Sequence, residues 1–225
     1  MDIAIYGDNT ALVEELENLL SEAHQVSFVL DKNETALIFE TTIFDKEYKI
    51  SNLDMISNMA LPNAVIISNS NCIKLLDQAR YIKKPERLIG MSLFPTFSLN
   101  DGLEFSITNF SNVQSIQLVE DAFSQVKKEK FWVQDKPGMI NLRLISLIIN
   151  EAYLVLQEKT SSREDIDTAM KLGTNYPFGP IEWSEKIGIE NIYAILYAMN
   201  EEFAEDRYRI TPLLKEKFLE KLIST

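Results

Sequence analysis

The residues whose spacing first suggests chemistry lie in a turn near the amino terminus, YGDNTALV at 6–13. A turn that binds a dinucleotide carries glycines in the pattern G-x-G-x-x-G. The second glycine lets the backbone approach the pyrophosphate, and the third lets the helix pack closely on the strand. This chain has Gly7 at the first position, with Asn9 and Leu12 at the second and third. Only one of the three glycines expected for nucleotide binding is present.

Two acids near this turn support opposite interpretations of it. Asp8 would place a carboxylate beside the phosphates, where like charges about 4 Å apart repel by about 4 kcal/mol at an effective dielectric of 20. Asp31, 24 residues beyond Gly7, stands where an acid would bind a ribose. The turn is therefore either a degenerate nucleotide site or an ordinary turn in which Asn9 or Thr10 caps a helix.

Other side chains suited to catalysis are few. The single cysteine, Cys72, excludes an internal disulfide and a multi-cysteine metal cluster, and the single histidine, His24, excludes a histidine-rich metal site. We predict no metal site. Without a nearby base, Cys72 is better interpreted as a small buried or half-buried thiol than as a nucleophile. His24 precedes a strand and is expected to end a helix, and Glu40 closes a strand, where it could cap the next element.

The first half of the chain alternates apolar strand patterns with helical patterns, which favours parallel β-α-β units. We predict strands at 2–6, 25–30, 35–40, 63–68, 86–94, 103–107 and 130–134, and helices at 10–22, 47–59, 73–81 and 112–128.

After Pro137-Gly138 the pattern is wholly helical. The apolar residues of 139–160 predict a helix buried on most sides. Ser161 or Ser162 begins a second helix that Gly173 ends, and 191–203 is a third. The sequence thus predicts an α/β domain at 1–135 with a mostly parallel sheet, followed by a smaller all-α C-terminal domain at 136–225.

The amino-acid composition argues against certain classes of binding partner. The 34 acidic and 22 basic side chains give a net charge of −12, which argues against nucleic acid and anionic membranes as partners. No stretch approaches the length of a membrane-spanning helix and no targeting segment is recognised, so we expect a cytoplasmic location.

The helical half carries five motifs in order: Pro137-Gly138, Asn150-Glu151-Ala152, EDIDTAMKLG at 164–173, YPFGP at 176–180 and RYRITPLL at 207–214. In these motifs it resembles the C-terminal domain of the 3-hydroxyacyl-CoA dehydrogenases. The first half follows the same family in LIFE at 37–40, AVIISNSN at 64–71 and KKPERLIGMSLF at 83–94. The resemblance implies a Rossmann-like first domain, NAD as the cofactor, a possible acyl-CoA or small anionic ligand, and a homodimer formed through the helical domain.

The resemblance also implies which positions carry the chemistry. In this family a histidine accepts the hydroxyl proton and is paired with a glutamate twelve residues later; these positions are Ser92 and Glu104 here. Asn71 stands at a substrate-contacting serine and Leu142 at an active-site asparagine. Gly7, Asn9, Asp31 and Glu40 occupy the cofactor-binding positions. Glu104 is either the retained acid of the pair or a solvent-facing strand residue, because its apolar neighbours alternate.

These substitutions support two functional hypotheses. The main one is a catalytically impaired dehydrogenase relative, a pseudoenzyme or a non-catalytic binding module, since serine is too weak a base to replace histidine. The alternative is an active NAD(P)-dependent oxidoreductase on a 3-hydroxyacyl-CoA or a similar hydroxy acid, with Glu104 acting directly or through water.

Overall fold

The chain forms two compact units, Met1–Met139 and Ile140–Thr225. This computed structural model describes residues 1–30 and 34–224. Asp31, expected to bind a ribose, lies outside the described residues. Within the described part, no helix combines the length and apolar character that crossing a membrane requires.

The first unit is built on a seven-stranded sheet, which confirms the predicted fold class. The strands are β1 (Asp2–Tyr6), β2 (Gln25–Ser27), β3 (Thr35–Glu40), β4 (Val65–Asn69), β5 (Leu88–Met91), β6 (Gly102–Ile107) and β7 (Glu129–Gln134). Their order along the sheet is β2-β1-β3-β4-β5-β6-β7. The first five strands in this order are parallel, β6 is antiparallel to β5, and β7 is parallel to β6.

The central strands are buried because their side chains are apolar on both faces. Ile38 and Phe39 of β3 and Ile66 and Ile67 of β4 are wholly buried, as expected for parallel strands covered by helices on both sides. The strand order reverses beside β1, since β2 and β3 lie on its opposite sides. The carboxyl ends of strands at such a reversal are where ligands bind in open α/β sheets.

The helices of this unit are α1 (Thr10–Ser21), α2 (Lys46–Met59), α3 (Leu75–Gln78) and α4 (Val113–Ala122), and a 3₁₀ turn at Ala79–Tyr81 continues α3. The prediction that the last helix extends to 128 is wrong. Phe123 leaves the helical path with φ −89° and ψ 5°, and its ring packs against Phe105 with ring centroids 5.1 Å apart. Burial of this ring therefore ends the helix.

Two strand predictions are too long. The strand predicted at 25–30 pairs only over Gln25–Ser27. The strand predicted at 86–94 is preceded by a 3₁₀ turn at Pro85–Arg87 and covers only Leu88–Met91. After Met91, one more backbone bond joins Ser92 N to Glu104 O, at 2.9 Å. The carbonyl of Leu93 then accepts side-chain amides instead of a neighbouring strand.

The second unit is helical, as predicted. It contains α5 (Asn141–Gln157), α6 (Arg163–Thr174), α7 (Pro180–Ile187), α8 (Ile189–Phe203) and α9 (Pro212–Ser224); the sequence interpretation missed α7 and α9. Ser162 caps α6 as predicted. Gly173 does not end it, because Asn175 takes the left-handed conformation at φ 58° and forms the cap. α5 buries one face that includes Leu142, while Leu144 is 56% exposed, so it is less enclosed than expected.

Asp167 in α6 holds the amino terminus of α7. Its Oδ1 accepts from the backbone N–H of Ile181 at 2.8 Å and its Oδ2 from that of Glu182 at 3.0 Å. A carboxylate here satisfies two backbone donors that have no partner inside the helix. Its negative charge also interacts favourably with the positive end of the helix dipole. Gly179 leaves room for it, since a Cβ at this position would lie 2.4 Å from the Asp167 Cα.

We expect Asp167→Ala to lower the free energy of unfolding by about 2 kcal/mol, because two backbone donors, one of them buried, lose their acceptor. Asp167→Asn, which keeps one oxygen, should cost about half as much. The control is Glu164→Ala at an exposed first-turn position of α6, expected to change stability by less than about 0.5 kcal/mol. Urea denaturation followed by circular dichroism measures all three, and equal losses for the two alanine variants would contradict the capping role.

Candidate functional site

A cluster of polar side chains is buried where β3 and β4 end. Glu40 is the last residue of β3, and Ser68 to Asn71 continue from the last two residues of β4; all five are wholly buried. Buried polar groups cost free energy unless they are hydrogen-bonded. Their position at the carboxyl edge of the sheet makes this cluster the candidate site.

The centre of the cluster is an ion pair between Glu40 and Lys49. The Lys49 Nζ donates to the Glu40 carboxylate, to Ser68 Oγ at 3.1 Å and to the backbone oxygen of Asn69 at 2.9 Å. The Glu40 carboxylate also accepts from Ser68 Oγ at 3.0 Å and from the backbone N–H of Thr42 at 3.2 Å. All three ammonium protons thus have acceptors, and both carboxylate oxygens have donors.

Sequence reasoning proposed Glu40 as a cofactor-binding position but missed Lys49. A signal was present, because Lys49 lies on the inward stripe of α2 with Asn52, Leu53 and Ile56, at the spacing of one helix face. Burial lowers the pKa of the Lys49 ammonium, while the adjacent Glu40 charge acts to raise it. The pair therefore joins α2 to the ends of β3 and β4.

Asn71 and Ser92 are in direct contact. Ser92 Oγ donates to Asn71 Oδ1 at 2.9 Å, and Asn71 Nδ2 donates to the backbone oxygen of Leu93 at 3.0 Å. Asn69 Nδ2 donates to the same Leu93 oxygen at 2.8 Å, and Asn69 Oδ1 accepts from the Asn71 backbone N–H at 3.2 Å. The two asparagines and Ser92 therefore form one hydrogen-bonded set in which Ser92 acts as a donor.

Glu104 lies directly across from Ser92. Their backbones are joined by the bond from Ser92 N to Glu104 O, which continues the antiparallel pairing of β5 and β6. Residues paired in this way project from the same face of the sheet. Glu104 is only 6% exposed, so the interpretation of a solvent-facing carboxylate is wrong. Of the three positions proposed for catalysis, Ser92 contacts Asn71 through its side chain and lies opposite Glu104 in the strand pair.

The turn after β1 packs closely against the residues that follow β3. A Cβ on Gly7 would lie 1.8 Å from Thr41 Oγ1, so this glycine allows the turn to approach the end of β3. Asn9 caps α1, because its Oδ1 accepts from the backbone N–H of Leu12 at 3.0 Å. Leu12 itself is wholly buried. The capping interpretation of Asn9 is confirmed, and Leu12 occupies the place where close helix packing needs a glycine.

These residues do not fit a dinucleotide pyrophosphate. The Asn9 side chain takes one of the backbone N–H groups at the start of α1 that would otherwise face a phosphate. Burial raises the pKa of the Asp8 carboxyl, and the nearby Glu40 and Asp45 charges raise it further, while its own backbone hydrogen bond lowers it. The turn is thus an acidic environment rather than an anion site.

The only histidine in the sequence lies near the amino-terminal ends of the strands, away from this cluster. His24 directly precedes β2, whose first residue pairs in parallel with the start of β1. Its Nε2 lies 2.7 Å from the backbone oxygen of Ala122, and its backbone N–H bonds to Leu20 at the end of α1. His24 therefore stabilises the helix end, as predicted, and cannot act as a base at the opposite, carboxyl edge.

Cys72 follows the cluster and is half-buried. Burial raises the pKa of its thiol to about 12, and the nearby Lys49 charge opposes this rise. A nucleophilic cysteine needs a lowered pKa. The structure therefore supports the interpretation of Cys72 as an unreactive, half-buried thiol.

Comparison with known proteins gives a family match in the second unit and relatives that match most of the chain. Residues 138–224 match the sequence model of the 3-hydroxyacyl-CoA dehydrogenase C-terminal domain. The 3-hydroxybutyryl-CoA dehydrogenase of Clostridioides difficile is 26% identical over 196 residues, 87% of this chain and 70% of that protein. The helical unit is therefore similar in sequence to the C-terminal domain of the 3-hydroxyacyl-CoA dehydrogenases. The resemblance of the whole chain to these dehydrogenases is thereby confirmed.

Two further comparisons extend this result. The 3-hydroxyadipyl-CoA dehydrogenase of Escherichia coli K12 is 41% identical over 95 residues, which are 42% of this chain and 20% of that protein. The crystal structure of (S)-3-hydroxybutyryl-CoA dehydrogenase from Ralstonia eutropha superposes with a TM-score of 0.79 at 23% identity, covering 98% of this chain and 94% of that one. The chain therefore has the dehydrogenase fold.

The raised pKa of Cys72 predicts slow alkylation. Below about pH 12 the thiol is mostly protonated, so iodoacetamide should react roughly a thousand times more slowly at pH 8.5 than with a free cysteine of pKa about 8.5. The rate should rise about tenfold per pH unit up to pH 10.5. The control is the same chain in urea, whose rate should level off above about pH 9. A plateau near pH 9 in the folded protein would contradict this account.

Proposed function

We propose that this chain is a 3-hydroxyacyl-CoA dehydrogenase relative that has lost efficient hydride transfer and acts as a non-catalytic binding protein. The observation that carries the proposal is the hydrogen bond from Ser92 Oγ to Asn71 Oδ1 at 2.9 Å. At the position where the resemblance implies a proton-accepting histidine, the structure has a hydroxyl that is already donating its proton to a neutral amide.

The chemistry of oxidation explains why this matters. Oxidising a hydroxyl to a ketone needs a base that takes the proton as the hydride leaves, and a histidine suits this because its pKa lies near neutrality. A serine hydroxyl cannot hold that proton without an activating partner. Loss of a positioned general base typically costs 10²–10⁴-fold in rate.

The nucleotide turn supports the same proposal. With Asn9 used as a helix cap and Asp8 in an acidic environment, the turn offers a dinucleotide little of the affinity that a glycine-rich turn supplies. A chain that keeps the sheet and the helical unit but not the turn chemistry suits a binding role. We propose an acyl-CoA or a related small anion as the ligand class, by analogy with the relatives.

One observation favours the alternative, an active oxidoreductase. Glu104 is 6% exposed and lies across the strand pair from Ser92. A buried carboxylate can serve as a general base when its pKa is raised toward neutrality. On this alternative, Glu104 would accept the hydroxyl proton directly or through water.

A spectrophotometric assay with NAD and 3-hydroxybutyryl-CoA tests the proposal. We expect turnover below about 1 s⁻¹, the lower end of the ordinary enzyme range. Ser92→His alone should not restore it, because the turn at Asn9 and Leu12 is unchanged. Wild-type turnover above about 1 s⁻¹ that Glu104→Gln abolishes would establish the alternative, and turnover that Ser92→His restores would show that the turn still binds the cofactor.

We further propose that the helical unit forms a homodimer. α8 and α9 carry exposed apolar side chains that include Tyr197 (51%), Leu222 (56%) and Ile223 (87%). Because α8 and α9 pack against each other, these side chains belong to neighbouring helices, and exposed apolar surface is typical of association sites. Light scattering should report twice the chain mass of 25.8 kDa.

Leu222→Glu should shift that mass toward the monomer, because it places a charge in an apolar interface. The control is Phe110→Glu, a similarly exposed position (52%) in the first unit, which should leave the mass unchanged. A wild-type mass of one chain would contradict the dimer.

A further inference from the structure

A tight turn over residues 94–97 follows Ser92 and Leu93 of the candidate site. The backbone N–H of Phe97 donates to the oxygen of Phe94 at 2.9 Å, which closes the turn. Thr96, its third residue, has φ 79° and ψ 4°, the conformation that a type II turn requires there. The proline at the second position suits both the type I and the type II form. The turn therefore has the type II form although its proline permits either.

Thr96 is poorly suited to this conformation. The third position of a type II turn needs a positive φ, which favours glycine, and a β-branched residue rarely adopts it. The Thr96 hydroxyl oxygen is also buried without a hydrogen-bond partner among the described residues, which is a further cost of this arrangement. In a type I turn the same residue has a negative φ. An interaction from outside the turn is therefore needed to stabilise the type II form.

Glu15 of α1 supplies that interaction. Its Oε2 accepts from the backbone N–H of Thr96 at 2.8 Å, and its Oε1 accepts from that of Ser98 at 2.7 Å. Hydrogen bonds to an ionised carboxylate are stronger than those between neutral groups. The type I and type II forms differ by a rotation of about 180° of the peptide between the second and third residues. That rotation would point the Thr96 N–H away from Glu15, so the bond to Thr96 is compatible only with the type II form.

Rotation of the Pro95–Thr96 peptide would break few contacts. The bond from Phe97 to Phe94 is common to both turn types. Among the described residues, no donor bonds to the Pro95 oxygen. The rotation therefore exchanges one hydrogen bond, from Thr96 to Glu15, for a relaxed backbone at Thr96.

The end of this segment is anchored independently of the turn. The Ser98 N–H has its own bond to Glu15. Lys128 Nζ donates to the backbone oxygens of Ser98 and Asn100, each at 2.7 Å. Because these three bonds do not involve the Pro95–Thr96 peptide, the segment stays attached in either form of the turn.

We propose that the Pro95–Thr96 peptide is a two-state switch whose orientation is set by the Glu15 carboxylate. With the carboxylate in place, the Thr96 N–H points to α1. Without it, the turn takes the type I form and presents the same N–H on its opposite side. The proposal does not depend on whether the chain oxidises a substrate, because it rests on contacts that do not include Ser92, Asn71 or Glu104.

The switch lies next to the candidate site. Leu93, whose backbone oxygen accepts from Asn69 and Asn71, is separated from Pro95 by one residue. α1 follows β1 and the turn follows β5, and the two strands that end at the buried cluster, β3 and β4, lie between them in the sheet. A ligand with an acceptor oxygen on the free side of the turn would favour the type I form, because it binds that form better. The switch thus gives this edge of the sheet a backbone donor that responds to a ligand oxygen.

Nuclear magnetic resonance of the full chain, labelled selectively at proline and threonine, tests this proposal. The nuclear Overhauser effect between the Pro95 Hα and the Thr96 amide proton is strong in a type II turn and weak in a type I turn, because the two protons are close only when ψ of Pro95 is about +120°. We expect a strong effect in the wild type and one about tenfold weaker in Glu15→Ala. Glu15→Gln, which keeps one acceptor oxygen without the charge, should give an intermediate value.

Two further variants separate the switch from a general loosening of the turn. Thr96→Gly removes the strain, so Glu15→Ala combined with Thr96→Gly should keep the strong effect of the wild type. The matched control is Glu14→Ala, at an exposed acid of α1, which should leave the effect unchanged. Four results would each overturn the proposal: a weak effect in the wild type, a strong one in Glu15→Ala alone, equal weakening by Glu14→Ala, or loss of the effect in the double variant.

Discussion

The buried pair of Glu40 and Lys49 is the interaction on which the carboxyl edge of the sheet depends. Both side chains are almost wholly inaccessible, at 0% and 1%. Removing one partner of such a pair leaves an uncompensated buried charge and typically costs 3–5 kcal/mol. Because Lys49 also bonds to Ser68 and Asn69, the pair positions α2, β3 and β4 together. Ser68, Asn69, Thr42 and Asn52 all bond directly to the pair.

On our proposal of lost hydride transfer, the pair also accounts for the retention of the fold. Asn69, held at its backbone oxygen by Lys49, orients Asn71, and Asn71 accepts the Ser92 hydroxyl. This chain of hydrogen bonds is complete with serine at position 92 and does not require a base there. A satisfied polar network of this kind makes the edge rigid. On our proposal, this network gives a ligand a fixed surface at which Ser92 supplies no proton acceptor near neutral pH.

Much of this arrangement could be predicted from the sequence. The alternation of strands and helices predicts the mostly parallel sheet, and Ser162 and Asn9 are caps that the sequence also predicts. Ser92 contacts Asn71, and Glu104 lies opposite Ser92 in the strand pair. Glu104 was assigned a possible solvent face because its apolar neighbours alternate, but its side of the sheet is covered, so alternation did not mean exposure.

Lys49 was missed because a lysine is rarely fully buried without a partner, and that partner, Glu40, lies nine residues away in another element. Gly173 was chosen as a helix end, yet Asn175 can adopt the same left-handed conformation, and only tertiary context decides between them.

The central claim is that the fold is retained while the nucleotide turn no longer holds a dinucleotide. Titration of the full chain with NADH, followed by calorimetry, tests it most directly. The capped turn at Asn9 and the acidic environment of Asp8 predict a dissociation constant weaker than about 1 mM. Saturable binding of one NADH per chain at about 10 μM or tighter would contradict the account, because it would require a pyrophosphate site where the structure places a helix cap.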